Sequence, residues 1–531
     1  MKFPPQQLDP MPRLTDFLMA KTARPWLLVS LTVLVIALLY VWPAIYLPLF
    51  DMDEGAYAAV SREMALTGQW WATTLNGEPF FHKPVLMYWL QAAGLVLVGD
   101  GSFAYRLASF VALGLWLWAT FKFVERHLDH ETAWFTLWIS LFASGVAVIF
   151  KAAIPDAWLI LFISLAIYRG FDFLVSERAA DLNWAFVWTG FGILAKGPIA
   201  LVVVAGSLFI YLVLGRDWQK LKQMIFAWKG WLLLALVALP WYVLQVALFG
   251  KDFIDEFFGV HNVGRFMNPM ESHSGSPLYY VFSLIILTLP FFTLLLRSVR
   301  HWWQWSKASE VAKILAIWFL LVFIFFTIAA TKLPHYLMYG VPPVLIGLAY
   351  VARNYGVRWG LGVTLIVTAI ILTAVPWLVE LAMASEKDLY LSETYGTATE
   401  LVSFSYYVWT AVLGIGGVTL LVVKLGVLPK IVAAGVLMTA VLNYAVLDLA
   451  AELQQKPIVE AAEFVKQQQL EVVTCTIEMP SFNVVAQQLT PVRRPVAGEV
   501  GFCKTHELQR FEEVEWLWQG RGVSVARVIK E

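Results

Sequence analysis

Apolar runs separated by short polar stretches fill most of the chain as far as residue 450, and they read as helices crossing about 30 Å of hydrocarbon. The runs lie at 26–49, 103–124, 132–150, 157–174, 183–195, 197–215, 230–249, 277–297, 311–330, 335–352, 358–380, 406–424 and 430–449. They predict a polytopic α-helical membrane protein with about 13 transmembrane helices. The stretch 84–99 is also apolar, but another span there would reverse the side of every later loop, so it is placed flat at the interface. Basic residues agree with that choice. Every loop predicted to be cytoplasmic carries lysine or arginine, from Lys122 and Arg126 to Lys424 and Lys430, as the positive-inside rule requires.

Residues 1–25 carry Lys2, Arg13, Lys21 and Arg24 and are expected to form a cytoplasmic N-terminus held by a retained first span. Residues 26–450 then form the transmembrane domain, with a first periplasmic loop at 50–102 that holds interfacial helices. Beyond 450 the pattern changes, because 20 of 81 residues are Lys, Arg, Asp or Glu, close to the soluble average. A helical stretch from Ile458 to Gln469, a β-branched run from Glu471 to Ile477, a second helix and a final strand from Val523 to Ile529 predict a small α/β unit. The odd number of spans puts this domain, 451–531, in the periplasm. Cys475 and Cys503 are the only cysteines, and there they either form a disulfide or pack as two buried thiols.

Composition narrows the class. Hydrophobic residues make up 60% of 531 positions and charged residues only 14%, which excludes an ordinary soluble enzyme. The 38 basic and 38 acidic residues balance, so no basic field exists to attract nucleic acid. Neither a phosphate-binding P-loop, nor a dinucleotide fingerprint, nor a zinc motif is present. A donor substrate is therefore expected from the membrane.

Candidate chemistry gathers on the predicted outer face. Asp51-Met52-Asp53-Glu54 follows the first span, and its acids suit both a helix N-terminus and proton transfer from an incoming hydroxyl. His82-Lys83-Pro84 enters the interfacial stretch, and Lys151 and Asp156 sit at the outer end of another span. Lys196 occupies a Gly-Pro turn, His261-Asn262 and Arg265 lie in an aromatic outer loop, and Lys332 precedes His335-Tyr336. Each alone reads as a cap or an interface anchor. Together they place acids and phosphate-binding cations on one side, as acid–base chemistry beside a lipid phosphate requires.

In order along the chain, Asp53-Glu54 with Tyr57-Ala58, Phe81-His82-Lys83-Pro84 with Trp89, Pro155-Asp156, Ala195-Lys196-Gly197-Pro198, His261-Asn262 with Arg265-Phe266, and Lys332-Leu333-Pro334-His335-Tyr336 resemble the motifs of the C-type glycosyltransferases. That family includes lipid A aminoarabinose transferases and protein O-mannosyltransferases. The resemblance implies the C-type glycosyltransferase fold and inverting transfer of a sugar from a polyprenyl (undecaprenyl) phosphate donor. Its acceptor would be lipid A, lipopolysaccharide or a related glycan at the periplasmic face of a bacterial inner membrane. The catalytic set would be Asp53, Glu54 and Asp156, with Lys83 and Arg265 on the donor phosphate. Tyr57, His82, Lys196, His261, Asn262, Lys332, His335 and Tyr336 would line the cavity. Ala56 and His82 stand where aminoarabinose transferases typically carry Arg and Glu. The resemblance requires no cofactor beyond the lipid-linked sugar, and a divalent metal at Asp53, Glu54, His82 or His261 is allowed without being demanded by spacing. Two alternatives remain open, a protein acceptor and a transporter of lipid-linked sugars.

Overall fold

The computed structural model describes residues 30, 33–268, 275–475 and 479–530. The predicted N-terminal segment 1–25 and part of the 471–477 strand lie outside the described residues. Within them, all thirteen apolar runs fall on helix. Among the described residues, eight helices are long and apolar enough to cross a membrane, or nine if one bent pair counts as a span.

Two of these runs, and one stretch expected as a loop, differ from the simple pattern. The 132–150 run breaks at Ala143, whose extended backbone separates His130–Phe142 from Ser144–Ile149. The 277–297 run, expected as one span, is two helices, Tyr279–Leu287 and Phe292–Ala308, bent by 112° around a break that contains Pro290. Proline removes a backbone donor and clashes with the preceding turn, so a break there follows from the sequence. The aromatic stretch 257–266, expected as a loop, is helical and continues Trp228–Phe253 beyond a kink at Gly250, where φ is 58°. Leu86–Val98, the stretch placed flat, has 13 residues. At about 1.5 Å per residue it falls well short of a bilayer core.

The final spanning helix does not stop at residue 450 but runs on as Val427–Gln467, so a continuous rod joins the membrane body to the C-terminal unit. That unit has a four-stranded sheet in the order Val472–Thr474, Val500–Lys504, Val523–Lys530, Glu513–Gln519, with the first pair parallel and the others antiparallel. Lys456–Gln467 and Ser481–Ala486 pack on it through Ile458, Val465, Phe482 and Phe502. Cys475 and Cys503 are joined as a disulfide.

Candidate active site

The helix Asp53–Thr67 begins with two acids in its first turn, where exposed backbone N–H groups favour negative charge. Their side chains take opposite directions. Glu54 turns inward and accepts from Arg106 Nε at 2.9 Å and Arg106 Nη2 at 2.6 Å, from Phe50 N at 3.0 Å and from Ala153 N at 2.7 Å. Arg106 also donates to the carbonyls of Ala44, Leu47 and Pro48. Burial would raise the Glu54 carboxyl, yet Arg106 and the two backbone amides hold it below the ordinary value. Glu54, expected in the catalytic set, is therefore consumed by a buried clamp and has no lone pair left to act on a substrate.

That clamp also fixes the second acid-bearing turn. Ala153 N binds Glu54, Ala153 O accepts from Gln91 Nε2 at 2.8 Å, and Ala152 O accepts from Ser109 Oγ at 2.6 Å. Three elements thus pin residues 152–153, just before Asp156 starts its helix. Lys151 beside them is buried and bonded to Asn443 Oδ1. Burial pushes Lys151 down to about 7, with the Arg106 charge adding to the effect.

Asp53 is exposed, and its carboxylate has no hydrogen bond or ion pair among the described residues. Asp156 is its opposite, only 2% exposed, with both oxygens 2.7 Å from Lys196 Nζ and one 2.6 Å from Tyr339 OH. His335 Nε2 lies 3.9 Å from the same carboxylate. Lys196 Nζ sits over the rings of Tyr336 and Tyr339 at 5.6 and 5.5 Å. Gly197 makes this possible, because its φ of 103° reverses the chain directly after the lysine. Phe257 and Asn262 Oδ1 pack within van der Waals reach of this turn, and Asn262 Nδ2 donates to Phe257 O at 2.6 Å.

Lys83 reaches the site from a loop built by a two-residue hairpin. Asn76 and Gly77 both have positive φ, which suits a tight turn, and Glu63 accepts from Gly77 N at 3.0 Å. Phe81 then packs between Phe249 and Phe253. Lys83 is buried, and its sole hydrogen bond among the described residues is to the carbonyl of His82 at 3.0 Å. Burial pushes its ammonium down to about 7, with nearby Arg265 and Lys196 adding to the shift and Asp53 and Asp156 opposing it. Arg265 Nη1 lies 3.3 Å from Tyr336 OH, held there because Thr331 N and Ala330 N donate to the carbonyls of Arg265 and Phe266.

Tyr57 is buried next to Tyr88, with ring centroids 5.9 Å apart, and lies in the field of Asp53, Asp156 and Arg265. The rings of His82 and His261 lie 3.9 Å apart between centroids and are tilted by 42°, and Glu256 Oε1 is 3.5 Å from His261 Nε2. Burial, then the charges of His261, Lys83 and Arg265, push His82 down to about 2, so its imidazole is neutral. The ligand atoms of His82, Glu256 and His261 all lie within 4.8 Å of one another, a set that fits a divalent ion with nitrogen and oxygen donors.

Lys332 does not join this group. Its Nζ donates to Thr327 O at 2.9 Å and Ala329 O at 2.8 Å, capping the end of Glu310–Ile328, where carbonyls lack helical partners. Glu256 of the histidine cluster escaped the sequence reading, as did Arg106 and Tyr339. Arg106 could have been noticed as a charge inside an apolar run, which needs a partner. Tyr339 could not, since an aromatic at a span end looks like any interface anchor.

Open charged groups at one end of a helical bundle, under a small α/β unit, define a multi-pass membrane protein of the C-type glycosyltransferase fold. The crystal structure of ArnT from Cupriavidus metallidurans bound to undecaprenyl phosphate superposes with a TM-score of 0.78 at 20% identity, covering 95% of this chain and 98% of that one. The family described as dolichyl-phosphate-mannose-protein mannosyltransferase matches residues 82–243. The undecaprenyl phosphate-alpha-4-amino-4-deoxy-L-arabinose arabinosyl transferase of Shewanella sediminis is 30% identical over 322 residues, 59% of this chain and 57% of its own length. Its counterpart in Aeromonas hydrophila is 32% identical over 305 residues, 56% of this chain and 55% of its own. The chain thus spans little more than half the length of these curated relatives. The resemblance read from the motifs is borne out.

Proposed function

We propose that the protein transfers a sugar from a polyprenyl phosphate donor to an envelope acceptor, lipid A or a related glycan, at the periplasmic face of a bacterial inner membrane. The observation that carries this reading is the pairing of an open carboxylate, Asp53, with a buried lysine, Lys83, that has no carboxylate partner among the described residues. A buried ammonium without a counter-ion is costly, and a phosphate would supply the missing charge. The names of the relatives and the ligand of the ArnT crystal structure support the same donor class.

In this mechanism Lys83 and Arg265 bind the donor phosphate, with the sugar directed toward Asp53. An acceptor oxygen attacks the anomeric carbon from the side opposite the phosphate, and Asp53 takes the proton if that oxygen is a hydroxyl. The bond from the anomeric carbon to the phosphate oxygen breaks, its electron pair leaves with the polyprenyl phosphate, and the sugar inverts. Lys83 and Arg265 stabilise the charge that grows on the leaving group. Asp156 is held by Lys196 and Tyr339, so it positions groups rather than moving protons. His82, His261 and Glu256 would hold a metal beside this centre, where it would add positive charge near the donor.

A protein acceptor is the second reading, favoured by the family match over 82–243. Purified protein in liposomes with polyprenyl phosphate sugars, lipid A and periplasmic polypeptides separates the two. A sugar mass increment on lipid A supports the first reading and one on polypeptide the second. Movement of intact donor across the bilayer without transfer would support the transporter alternative and overturn both.

A further inference from the structure

The carboxylate of Asp51, two residues before Asp53, is held by the C-terminal domain. Its Oδ1 accepts from Ser481 N at 2.9 Å and its Oδ2 from Ser481 Oγ. Gln454 Nε2 donates to Asp51 O at 3.1 Å. Gln455, with its amide oriented to satisfy its neighbours, accepts from Asp51 N at 2.9 Å and donates to Leu49 O at 3.0 Å. Asp51 thus has its backbone N–H, its carbonyl and its carboxylate all bonded to residues beyond 450.

A second strut reaches the neighbouring loop, where Asn483 Nδ2 donates to Asn76 Oδ1 at 2.6 Å, in the hairpin that leads to Lys83. The glycine after Glu54 belongs to the same contact. A methyl group at Gly55 would overlap the Asp51 carboxylate and approach Ser481 N to 2.7 Å. The first turn of the Asp53 helix is therefore gripped on two sides, by Arg106 through Glu54 and by the C-terminal domain through Asp51.

We propose that Asp51 is a positioning residue through which the C-terminal domain, by way of Ser481, fixes the start of the helix that carries Asp53. This rests on Asp53 being the catalytic acid. A helix start held on one side only can pivot about the Glu54 clamp, which would move Asp53 relative to Lys83. A misplacement of about 1 Å can cost on the order of a hundredfold in rate.

The test uses the full chain in liposomes, comparing wild type, Asp51→Ala, Asp51→Asn, Ser481→Ala and Gly55→Ala. The readouts are kcat, the KM for donor and amide hydrogen exchange over residues 50–57. Asp51→Ala and Gly55→Ala are expected to lower kcat about 10- to 100-fold with KM within about threefold, and to speed exchange over 50–57 about tenfold. Asp51→Asn still accepts from Ser481 N and is expected to recover most of the rate. Ser481→Ala loses only the hydroxyl and should fall between them while melting like wild type. Unchanged exchange in Asp51→Ala overturns the tether, and faster exchange with unchanged kcat overturns the positioning role. If wild type transfers no sugar, the functional reading fails, while the exchange comparison still upholds or overturns the tether.

Discussion

Two charged clusters lie at opposite ends of the helix Asp156–Ser176, and they are built differently. At its far end Asp172 is met by Arg126 at 2.5 Å, His127 at 2.7 Å and Arg169 at 3.5 Å, while Arg169 and Arg178 also reach Asp181 at 3.0 and 3.1 Å. Every acid there has a cation. At its start Asp156 has Lys196, but among the described residues Asp53 has no side-chain partner and Lys83 has only a carbonyl. The difference separates structure from chemistry, because a completed network rigidifies while an incomplete one has room for a ligand.

Breaking the incomplete end should have the largest effect on activity. Asp53→Asn removes the open carboxylate of the site, and turnover is expected to fall on the order of 10³-fold with donor KM nearly constant, as steady-state kinetics in liposomes would show. Arg106→Met leaves Glu54 buried without its cation and should cost about 3–5 kcal/mol of stability, read from denaturation in detergent.

The pH response of Lys83 sharpens the contrast. Its ammonium sits at about 7 without ligand, so raising the pH through 7 strips the charge on which the proposed phosphate site depends. Donor KM should therefore rise about tenfold between pH 7 and 8.5, since a bound phosphate only partly restores the proton. Lys83→Arg, which stays protonated, should flatten that profile. Asp172→Asn should have the smallest catalytic effect. It weakens a completed network at the other end, so stability drops by roughly 1–3 kcal/mol while kcat of the folded protein stays within twofold.

The spans were legible because apolar runs of that length have few alternatives, and the acids and cations of the site were legible because cations are expected mainly in the inner loops and here gather with acids on the outer face. The roles of the charges were less so. Asp53 and Glu54 are adjacent and chemically alike, yet successive positions on a helix point about 100° apart, and only the partner at Arg106 decides which one is consumed. Lys332 looked like another cavity cation, but its ammonium is spent on the carbonyls of its own preceding helix. The bend at 288–291 falls at Pro290, and apolarity by itself does not distinguish a broken span from a straight one. The grip of Ser481 on Asp51 spans 430 residues of sequence and left no local signal.

The most direct test of the account is the binding of a polyprenyl phosphate, without sugar, to purified wild type, Lys83→Met and Asp172→Asn at pH 6.5. Wild type and Asp172→Asn are expected to bind alike, with Lys83→Met at least tenfold weaker, a loss in keeping with a charged hydrogen bond worth about 1.5–3 kcal/mol. Equal affinity in all three would contradict the claim that the incomplete cluster is the phosphate site.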